Sequence, residues 1–282
     1  MEIVSHPAFP DLHPTFGHPE APERLAVLHR AFPDFATCEP APEDDVLGCH
    51  TRAYVDLVRS IDDVTWLDLD TVASASSYEA ALLAAGAAIE AVRRGGFALL
   101  RPPGHHALPD RAMGFCLFAN AAIAARWAQR ELGVARVAVV DFDVHHGNGT
   151  EAIFRDDASV LFVSLHQWPF WPGTGGPDDQ AATTLNVPMR AGSGDEEYVQ
   201  AFERMIEPAL ARFDAELVLV SAGFDAHVDD PLADIRVTDE GFRELARRCA
   251  AAAPRCAAVL EGGYNLETLP HLVGAALEGF GG

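Results

Sequence analysis

The sequence predicts an α/β protein in which a central parallel sheet is covered by helices on both faces. Short apolar runs alternate with helical patterns along the 282 residues, as in a parallel sheet built from strand–helix units. These runs contain almost no polar residue, which is typical of strands buried on both sides. No internal repeat or linker interrupts the pattern, so we expect one domain spanning residues 1–282.

Five strands are predicted from the apolar runs. They are Phe97–Leu100, Val137–Phe142, Val160–Leu165, Leu217–Ser221 and Ala257–Leu260. Unusual polar residues come at or just after all five strand ends: His105 and His106, then Asp141, Asp143 and His145, then Ser164 and His166, then Asp225, and finally Tyr264. Because ligands bind beyond the carboxyl ends of the strands in an open parallel sheet, we expect these side chains to share one functional rim.

Helices are predicted between the strands from capping and stop signals. Ser77 caps a helix to Arg93 that Gly95 stops, and Thr238 caps a helix toward Ala253. The remaining predictions are Asn120–Leu132, a helix from the capping-box spacing Ser193-x-x-Glu196 toward Phe213 with a kink at Pro208, and the N-terminal helices Glu23–Phe32 and Thr51–Ser60.

Composition narrows the functional classes. The net charge of −22 argues against nucleic-acid binding, which needs cations to neutralise phosphates. It favours a cationic substrate, although an acidic surface that only maintains solubility explains it as well. Residues 1–10 do not resemble a secretory signal, and the apolar stretch 80–92 is too short for a membrane span. Five cysteines without a C-x-x-C pair predict free thiols in a reducing cytoplasm.

A metal site is predicted at the end of the second strand. In Asp143-Val144-His145 the two polar side chains point the same way from an extended segment, and Asp225 adds a third ligand from another strand. Three protein ligands and one open position are typical of catalytic zinc. Because two of the ligands are carboxylates, ferrous iron is a competitor. Alternatively, Asp143 caps a helix and His145 packs in the core.

Proton-handling groups are predicted beside this metal site. His105 and His106 are adjacent, and buried imidazoles need hydrogen-bond partners. Asp141 can orient one of them and Asn148 the other, which suits a general base and acid. Tyr264, after two glycines, can donate a hydrogen bond to a developing oxyanion. The alternatives are a structural histidine pair and an ordinary turn tyrosine.

Seven short motifs occur in order along the chain: H-P-E-A-P-E-R (18–24), R-P-P-G-H-H (101–106), G-F-C-L-F-A-N (114–120), D-F-D-V-H-H-G-N-G-T (141–150), S-L-H (164–166), S-A-G-F-D (221–225) and E-G-G-Y-N (261–265). With these motifs the chain resembles the histone deacetylase superfamily, from about residue 6 to residue 265. Asn148 resembles the residue of class II members and their bacterial relatives. The resemblance implies the arginase/deacetylase fold, a three-layer α/β/α sandwich.

The resemblance also implies the role of each site residue. Metal ligands would be Asp143, His145 and Asp225. Catalytic residues would be His106 as general base and acid with Asn148 beside it, His105 paired with Asp141, and Tyr264 as transition-state donor. Substrate-binding residues would be Gly114, Phe115, Trp171 and Leu232. A structural potassium ion is implied near Asp141, His145 and Ser164. The implied reaction is zinc-dependent hydrolysis of an acyl amide, with acetyl-lysine or a related acylated amine as substrate.

The sequence alone leaves the substrate undetermined and two rival functions open. Eukaryotic polyamine deacetylases carry a glutamate where Leu232 falls, so their cation gate is absent, yet acetylpolyamines and small acylated metabolites remain possible. An arginase-like ureohydrolase would need a second metal ion, but Gly147 and His227 stand where its extra carboxylates belong. A non-catalytic acetyl-lysine-binding module is the other rival.

Overall fold

The computed structural model describes residues 1–281 and is built around an eight-stranded parallel sheet. The ten strands are β1 (Ile3–Ser5), β2 (Ala36–Thr37), β3 (Thr65–Trp66), β4 (Val72–Ala73), β5 (Phe97–Ala98), β6 (Val137–Asp141), β7 (Val160–Gln167), β8 (Thr184–Met189), β9 (Leu217–Ala222) and β10 (Cys256–Leu260). The order in the main sheet is β2-β1-β5-β10-β9-β6-β7-β8. Strands β3 and β4 form a separate antiparallel pair.

Helices pack on both faces of this sheet and complete the three-layer α/β/α sandwich. They are α1 (Glu23–Ala31), α2 (Glu43–Val46), α3 (Arg52–Arg59), α4 (Ser77–Arg94), α5 (Asn120–Glu131), α6 (Asn148–Phe154), α7 (Asp195–Ala201), α8 (Glu207–Phe213), α9 (Asp239–Ala251) and α10 (Leu269–Gly281). Helix α4 packs on α5, and α9 packs on α10. Within residues 1–281, no helix is both long enough and apolar enough to cross a membrane.

The sequence predicted the five strands β5, β6, β7, β9 and β10. They occupy five consecutive positions in the sheet, in the order β5-β10-β9-β6-β7. Strand β8 was not predicted, because Thr184, Asn186 and Pro188 interrupt its apolar residues. A proline and partial exposure are tolerated there since β8 lies at the sheet edge. Strands β1 and β2 are too short to give a pattern.

Two of the predicted helix caps are wrong, and one is confirmed. Ser77 is the first helical residue of α4, and its hydroxyl accepts from the backbone N–H of Ser74. Helix α7 begins after Gly194, whose N–H donates to the Glu197 carboxylate at 2.8 Å. Only this half of a capping box forms, one residue beyond the predicted position, because glycine has no side chain to supply the other half. Thr238 caps α9 as predicted, through its hydroxyl and the N–H of Gly241.

The predicted kink at Pro208 takes the form of a π-helical turn over Phe202–Ile206, between α7 and α8. Proline has no N–H and its ring excludes the carbonyl four residues earlier. Here the N–H of Glu207 reaches back five residues to the carbonyl of Phe202. The wider turn lets one helix continue past the proline.

Candidate active site

The sheet register brings the polar strand ends to one edge. Asp141 at the end of β6 pairs with Ser164 of β7 on one side and with Ser221 of β9 on the other. Ala222 of β9 in turn pairs with Leu260 of β10. Because these neighbouring parallel strands end at the same level, the segments that follow them meet above one edge of the sheet.

Asp143, His145 and Asp225 come together in this region. All three offer a ligand atom, and these atoms lie within 4.8 Å of one another. The Nδ1 atom of His145 is 3.2 Å from an Asp143 oxygen and 3.0 Å from an Asp225 oxygen. Both carboxylates are buried and His145 is nearly so. The three predicted metal ligands therefore face one point.

Backbone groups hold the two carboxylates in place. The N–H of Gly262 donates to Asp143 at 2.8 Å, and the N–H of Val144 donates to Asp225 at 2.8 Å. A Cβ atom on Gly223 would lie 2.1 Å from an Asp143 oxygen, and one on Gly262 would lie 2.3 Å from an Asp225 oxygen. The two glycines leave space that only the carboxylates fill, so the pair sits in a fitted cradle.

The electrostatics of this group favour a bound cation. Burial opposes charge on His145, but hydrogen bonds to and charges on Asp143 and Asp225 outweigh it and raise the His145 pKa to about 10. Burial and the nearby Asp143 raise the pKa of Asp225 to about 7. The two buried carboxylates repel each other, and one proton on His145 balances their negative charge only in part. A divalent ion would neutralise both carboxylates. Two carboxylates and one imidazole fit zinc or ferrous iron.

The adjacent histidines have separate partners. The Nδ1 atom of His105 is 2.9 Å from an Asp141 oxygen, and the Nδ1 atom of His106 is 2.8 Å from the Asn148 side-chain oxygen. The two imidazole rings lie 3.9 Å apart between centroids. Because both Nδ1 atoms are occupied, Nε2 is the free nitrogen of His106, which lines the cavity described below.

Charge separates the roles of the two histidines. Burial opposes protonation of His105, but the carboxylates of Asp143 and Asp141 raise its pKa well above the ordinary value. Burial, and then the charges of His105 and His145, lower the pKa of His106 well below its ordinary value. These shifts favour the protonated form of His105 and the neutral, proton-accepting form of His106. Such a pair with diverging pKa values is typical of acid–base sites.

Tyr264 lies on a turn that is fixed from several sides. Gly263 has a φ of 118°, a conformation that favours glycine. The N–H of Tyr264 donates to Asp230 at 2.7 Å, its ring meets Phe115 edge-on at 5.8 Å, and the Arg24 guanidinium lies 5.0 Å from the ring centroid. Burial raises the pKa of the phenol well above its ordinary value, so it remains a hydrogen-bond donor.

These groups open into a cavity of about 220 Å³. Its lining residues are Asp70, His106, Gly114, Phe115, His145, Phe170, Trp171, Leu232 and Tyr264. All four predicted substrate-binding residues are among them. Asp70 and Phe170 were not predicted: Asp70 stands in a loop without any motif, and only the aromatic run around Phe170 offered a signal.

Gly114 forms part of the cavity wall and cannot carry a side chain. Its φ is 57°, and an added Cβ atom would lie 2.5 Å from both His106 and Trp171. The Sγ atom of Cys116 is 3.2 Å from the Gly114 carbonyl oxygen, which retains a second lone pair. Phe115 also has a positive φ, and its N–H donates to Thr71 at 3.0 Å. The wall is thus held by contacts outside the cavity.

Glu261 and Arg24, for which the sequence predicted no role, hold the backbone segments that carry the site residues. The buried Glu261 carboxylate accepts the N–H groups of Gly104 and His105, at 2.7 and 3.2 Å. Arg24 donates through Nε to the carbonyl of Gly263 at 2.7 Å and through Nη2 to that of Glu261 at 2.5 Å. Glu261 therefore fixes the segment that carries the histidines, and Arg24 of the N-terminal motif fixes the turn that carries Tyr264.

A second group of potential metal ligands is explained by internal contacts. His105, Cys116 and Glu261 also have ligand atoms within 4.8 Å of one another. His105 is bonded to Asp141, and Glu261 accepts two backbone N–H groups and the Ser221 hydroxyl. We interpret this cluster as structural. The five cysteines are all free thiols, as the sequence predicted.

Glu20 forms a buried, two-pronged ion pair with Arg101, the first residue of the R-P-P-G-H-H motif. The Nε and Nη2 atoms of Arg101 donate to the two Glu20 oxygens at 2.9 and 2.8 Å. Burial raises the Glu20 pKa, but Arg101 and other cationic neighbours outweigh it and lower the value to about 2. The pair fixes the start of the segment that delivers both histidines.

Replacing Glu20 with glutamine is expected to lower the free energy of unfolding by about 3–5 kcal/mol at pH 7, because Arg101 becomes an unpaired buried charge. The pKa of Glu20 is lower in the folded state than in the unfolded state. The contribution of the ion pair to stability is therefore complete above about pH 4.5 and is lost as the pH falls toward 2. Urea unfolding at pH 7 and pH 3.5 should therefore show a smaller difference at the lower pH. The exposed pair of Glu131 with Arg130 supplies the control, and an equal effect of Glu131→Gln would contradict this account.

The fold and the site define a class of protein: an arginase/deacetylase-type sandwich with an Asp–His–Asp candidate metal-binding group at the carboxyl edge of its sheet. Residues 18–280 match the family model described as the histone deacetylase domain. The chain belongs to the histone deacetylase family.

Similar proteins agree with this assignment. The chain is 42% identical over 272 residues to "Histone deacetylase 10, chloroplastic" of rice, covering 86% of this chain and 61% of that protein. It is 40% identical to a "Histone deacetylase-like amidohydrolase" of Pseudomonas aeruginosa, covering 94% and 77%. The crystal structure of the HDA15 HD domain superposes with a TM-score of 0.94 at 35% identity, covering 99% and 88%. The chain thus spans less than two thirds of the rice protein.

Proposed function

We propose that this protein is a metal-dependent amidohydrolase that removes the acyl group from acetyl-lysine or a related acylated amine. The observation that carries the proposal is convergence: His145 of the Asp143–His145–Asp225 group, His106 and Tyr264 all line one cavity of about 220 Å³. Zinc is the proposed ion and ferrous iron the alternative. A structural potassium ion is proposed near Asp141, His145 and Ser164, and a cytoplasmic location remains a prediction.

The proposed chemistry depends on the neutral state of His106. A divalent ion, when bound, supplies a Lewis acid that polarises a carbonyl and lowers the pKa of water. His106 takes a proton from the attacking water through Nε2, because Nδ1 is engaged by Asn148. Burial of His106, and then the charges of His105 and His145, keep the pKa of His106 low. His106 then returns the proton to the departing amine.

Other cavity residues orient the acyl group. Tyr264 stays protonated and donates a hydrogen bond to the oxygen on which negative charge develops. Gly114 offers its carbonyl oxygen to the amide N–H of the substrate. Phe115 and Trp171 form apolar walls that exclude water around an aliphatic stem. An uncharged acyl-lysine fits such walls better than the charged lysine that is released, which favours departure of the product.

Acetate release tests the proposal directly. The zinc-loaded protein would be given an acetyl-lysine peptide and, separately, an acetylpolyamine at equal concentration. All 20 basic residues of the chain are arginines, so none of the acetate can come from lysines of the enzyme itself. We expect turnover of the peptide. Turnover of the polyamine alone would keep the chemistry and change the substrate class, and no release from either would overturn the proposal.

Replacing Asn148 with aspartate is expected to shift the acid limb of the kcat/KM–pH profile upward by about one unit. The new carboxylate, next to Nδ1, would raise the pKa of His106, so the neutral base would be lost at a higher pH during acidification. Asn148→Ala should lower kcat without this shift, because it adds no charge. An unchanged limb in Asn148→Asp would show that the limb does not report His106.

Three alternatives to this function are less consistent with the contacts. His227 bonds toward Asp239, at 3.3 Å, and does not join Asp143, His145 and Asp225. This arrangement favours one metal ion over the two that ureohydrolase chemistry needs. Leu232 lines the cavity without a charge, which gives no gate for a polyamine cation. A module that only binds acetyl-lysine would not need a base and a buried phenol together.

A further inference from the structure

The antiparallel pair β3–β4 lies at the mouth of the cavity. Its connection runs from Leu67 to Thr71, and Asp70 in this segment is one of the cavity-lining residues. We call Thr65–Ala73 the rim hairpin. Neither the catalytic scheme nor the metal-binding group uses the part of it that faces solvent.

The tip of the rim hairpin is built to hold its shape. One oxygen of Asp68 accepts the N–H groups of Asp70 and Thr71, at 2.9 and 2.6 Å. The hydroxyl of Thr71 accepts the N–H of Phe115 at 3.0 Å, and the ring of His18 lies 2.9 Å from the Asp70 carbonyl oxygen. The tip is therefore fixed against the cavity wall, and the side chains it presents keep a defined position.

Large apolar side chains on this hairpin point to solvent. Leu69 at the tip is fully exposed (101%), and Trp66 is 59% exposed. Phe16, two residues before His18 on the adjoining loop, is 74% exposed. Exposed apolar residues that recur around the mouth of one site are typical of an interaction surface, whereas scattered single ones are not.

The same segment is strongly acidic. Residues 62–70 contain four aspartates, and no basic residue occurs between Arg59 and Arg93. Asp62 and Asp63 are exposed, next to the apolar side chains. Potentials of one sign across an interface select partners of the other sign. A partner that covers this surface should therefore be basic as well as apolar.

We infer that the rim hairpin is a docking surface for the basic and apolar residues that flank an acylated lysine in a peptide or protein. The inference rests on the proposed function. An acyl-lysine side chain that fills the cavity leaves its own backbone at the mouth, and each further residue spans about 3.3–3.6 Å. Neighbouring residues of the substrate thus come within reach of Leu69 and Trp66. A free acylated amino acid has no such neighbours.

Hydrolysis of three substrates tests the inference. They are an acetyl-lysine peptide flanked by Arg and Leu, the same peptide flanked by Glu and Ser, and free Nε-acetyl-lysine. We expect wild type to prefer the basic, apolar peptide by roughly tenfold in kcat/KM and the preference to weaken at high salt. The double variant Trp66→Ser/Leu69→Ser should reduce it to about twofold and hydrolyse the free amino acid at the wild-type rate. Met205→Ser, at another exposed apolar side chain outside the cavity lining, is the matched control.

Binding and sedimentation measurements separate the possible failures. Equal turnover of both peptides by wild type would overturn the docking surface and keep the deacetylase. Hydrolysis of no substrate, with flank-dependent binding of fluorescent peptides that the double variant loses, would overturn the proposed function and keep the surface. A double variant that changes the oligomeric state but retains the peptide preference would assign the hairpin to a second copy of the chain and overturn the inference.

Discussion

Replacing Asp225 with alanine is expected to abolish acetate release, with a fall in kcat/KM on the order of 10³-fold or more. The variant retains only two of the three proposed metal ligands and loses the oxygen that lies 3.0 Å from His145. Metal content after dialysis should fall from about one ion per chain toward zero. The measurement combines elemental analysis with acetate release from the acetyl-lysine peptide.

A nearby carboxylate supplies the matched control for this variant. Asp229 is exposed on the same loop and lies outside the group of potential ligands, so Asp229→Ala should keep both metal and activity. Circular dichroism would establish that both variants are folded. Full activity in folded Asp225→Ala, or equal losses in the two variants, would contradict the assignment of Asp225 as a ligand.

Replacing Tyr264 with phenylalanine is expected to lower kcat by about 10²–10³-fold while KM and metal content stay nearly constant. The substitution removes one hydroxyl and leaves the ring contacts with Phe115 and Arg24 in place. The loss should appear in kcat because the proposed hydrogen bond is strongest when charge develops on the substrate oxygen.

Tyr78 provides the control for the loss of a phenol. Its hydroxyl donates to Glu43 at 2.6 Å, far along the chain from the site and absent from the cavity lining. Tyr78→Phe should leave kcat unchanged. If wild type and Tyr264→Phe shared the same trace activity, the non-catalytic binding module would become the better account of the protein.

The sequence predicted the centre of the sheet and the residues at its rim for one physical reason. Strands buried on both faces must be apolar throughout, so polar residues at their ends are conspicuous and mark the edge where ligands bind. Asp143 and Asp225 were found in this way although their residue numbers differ by 82. The edge strand β8 was not predicted in this way, because Thr184, Asn186 and Pro188 interrupt its apolar residues.

Residues positioned by tertiary contacts could not be predicted. Asp70 reaches the cavity only because Thr71 and His18 fix the rim hairpin, and neither contact leaves a local pattern. The start of α7 is similar: Asp195 accepts the N–H and hydroxyl of Thr238, at 2.8 and 2.6 Å, which places the helix one residue beyond the predicted cap. Such long-range bonds decide between local alternatives of nearly equal energy.

A titration of the metal-free protein with zinc tests the central claim most directly. The rate of acetate release from the acetyl-lysine peptide should rise linearly and reach a plateau at one ion per chain, as a single Asp143–His145–Asp225 site requires. A plateau at two ions would point to a binuclear site. No rise in rate, with one ion bound, would contradict metal-dependent amide hydrolysis at this site.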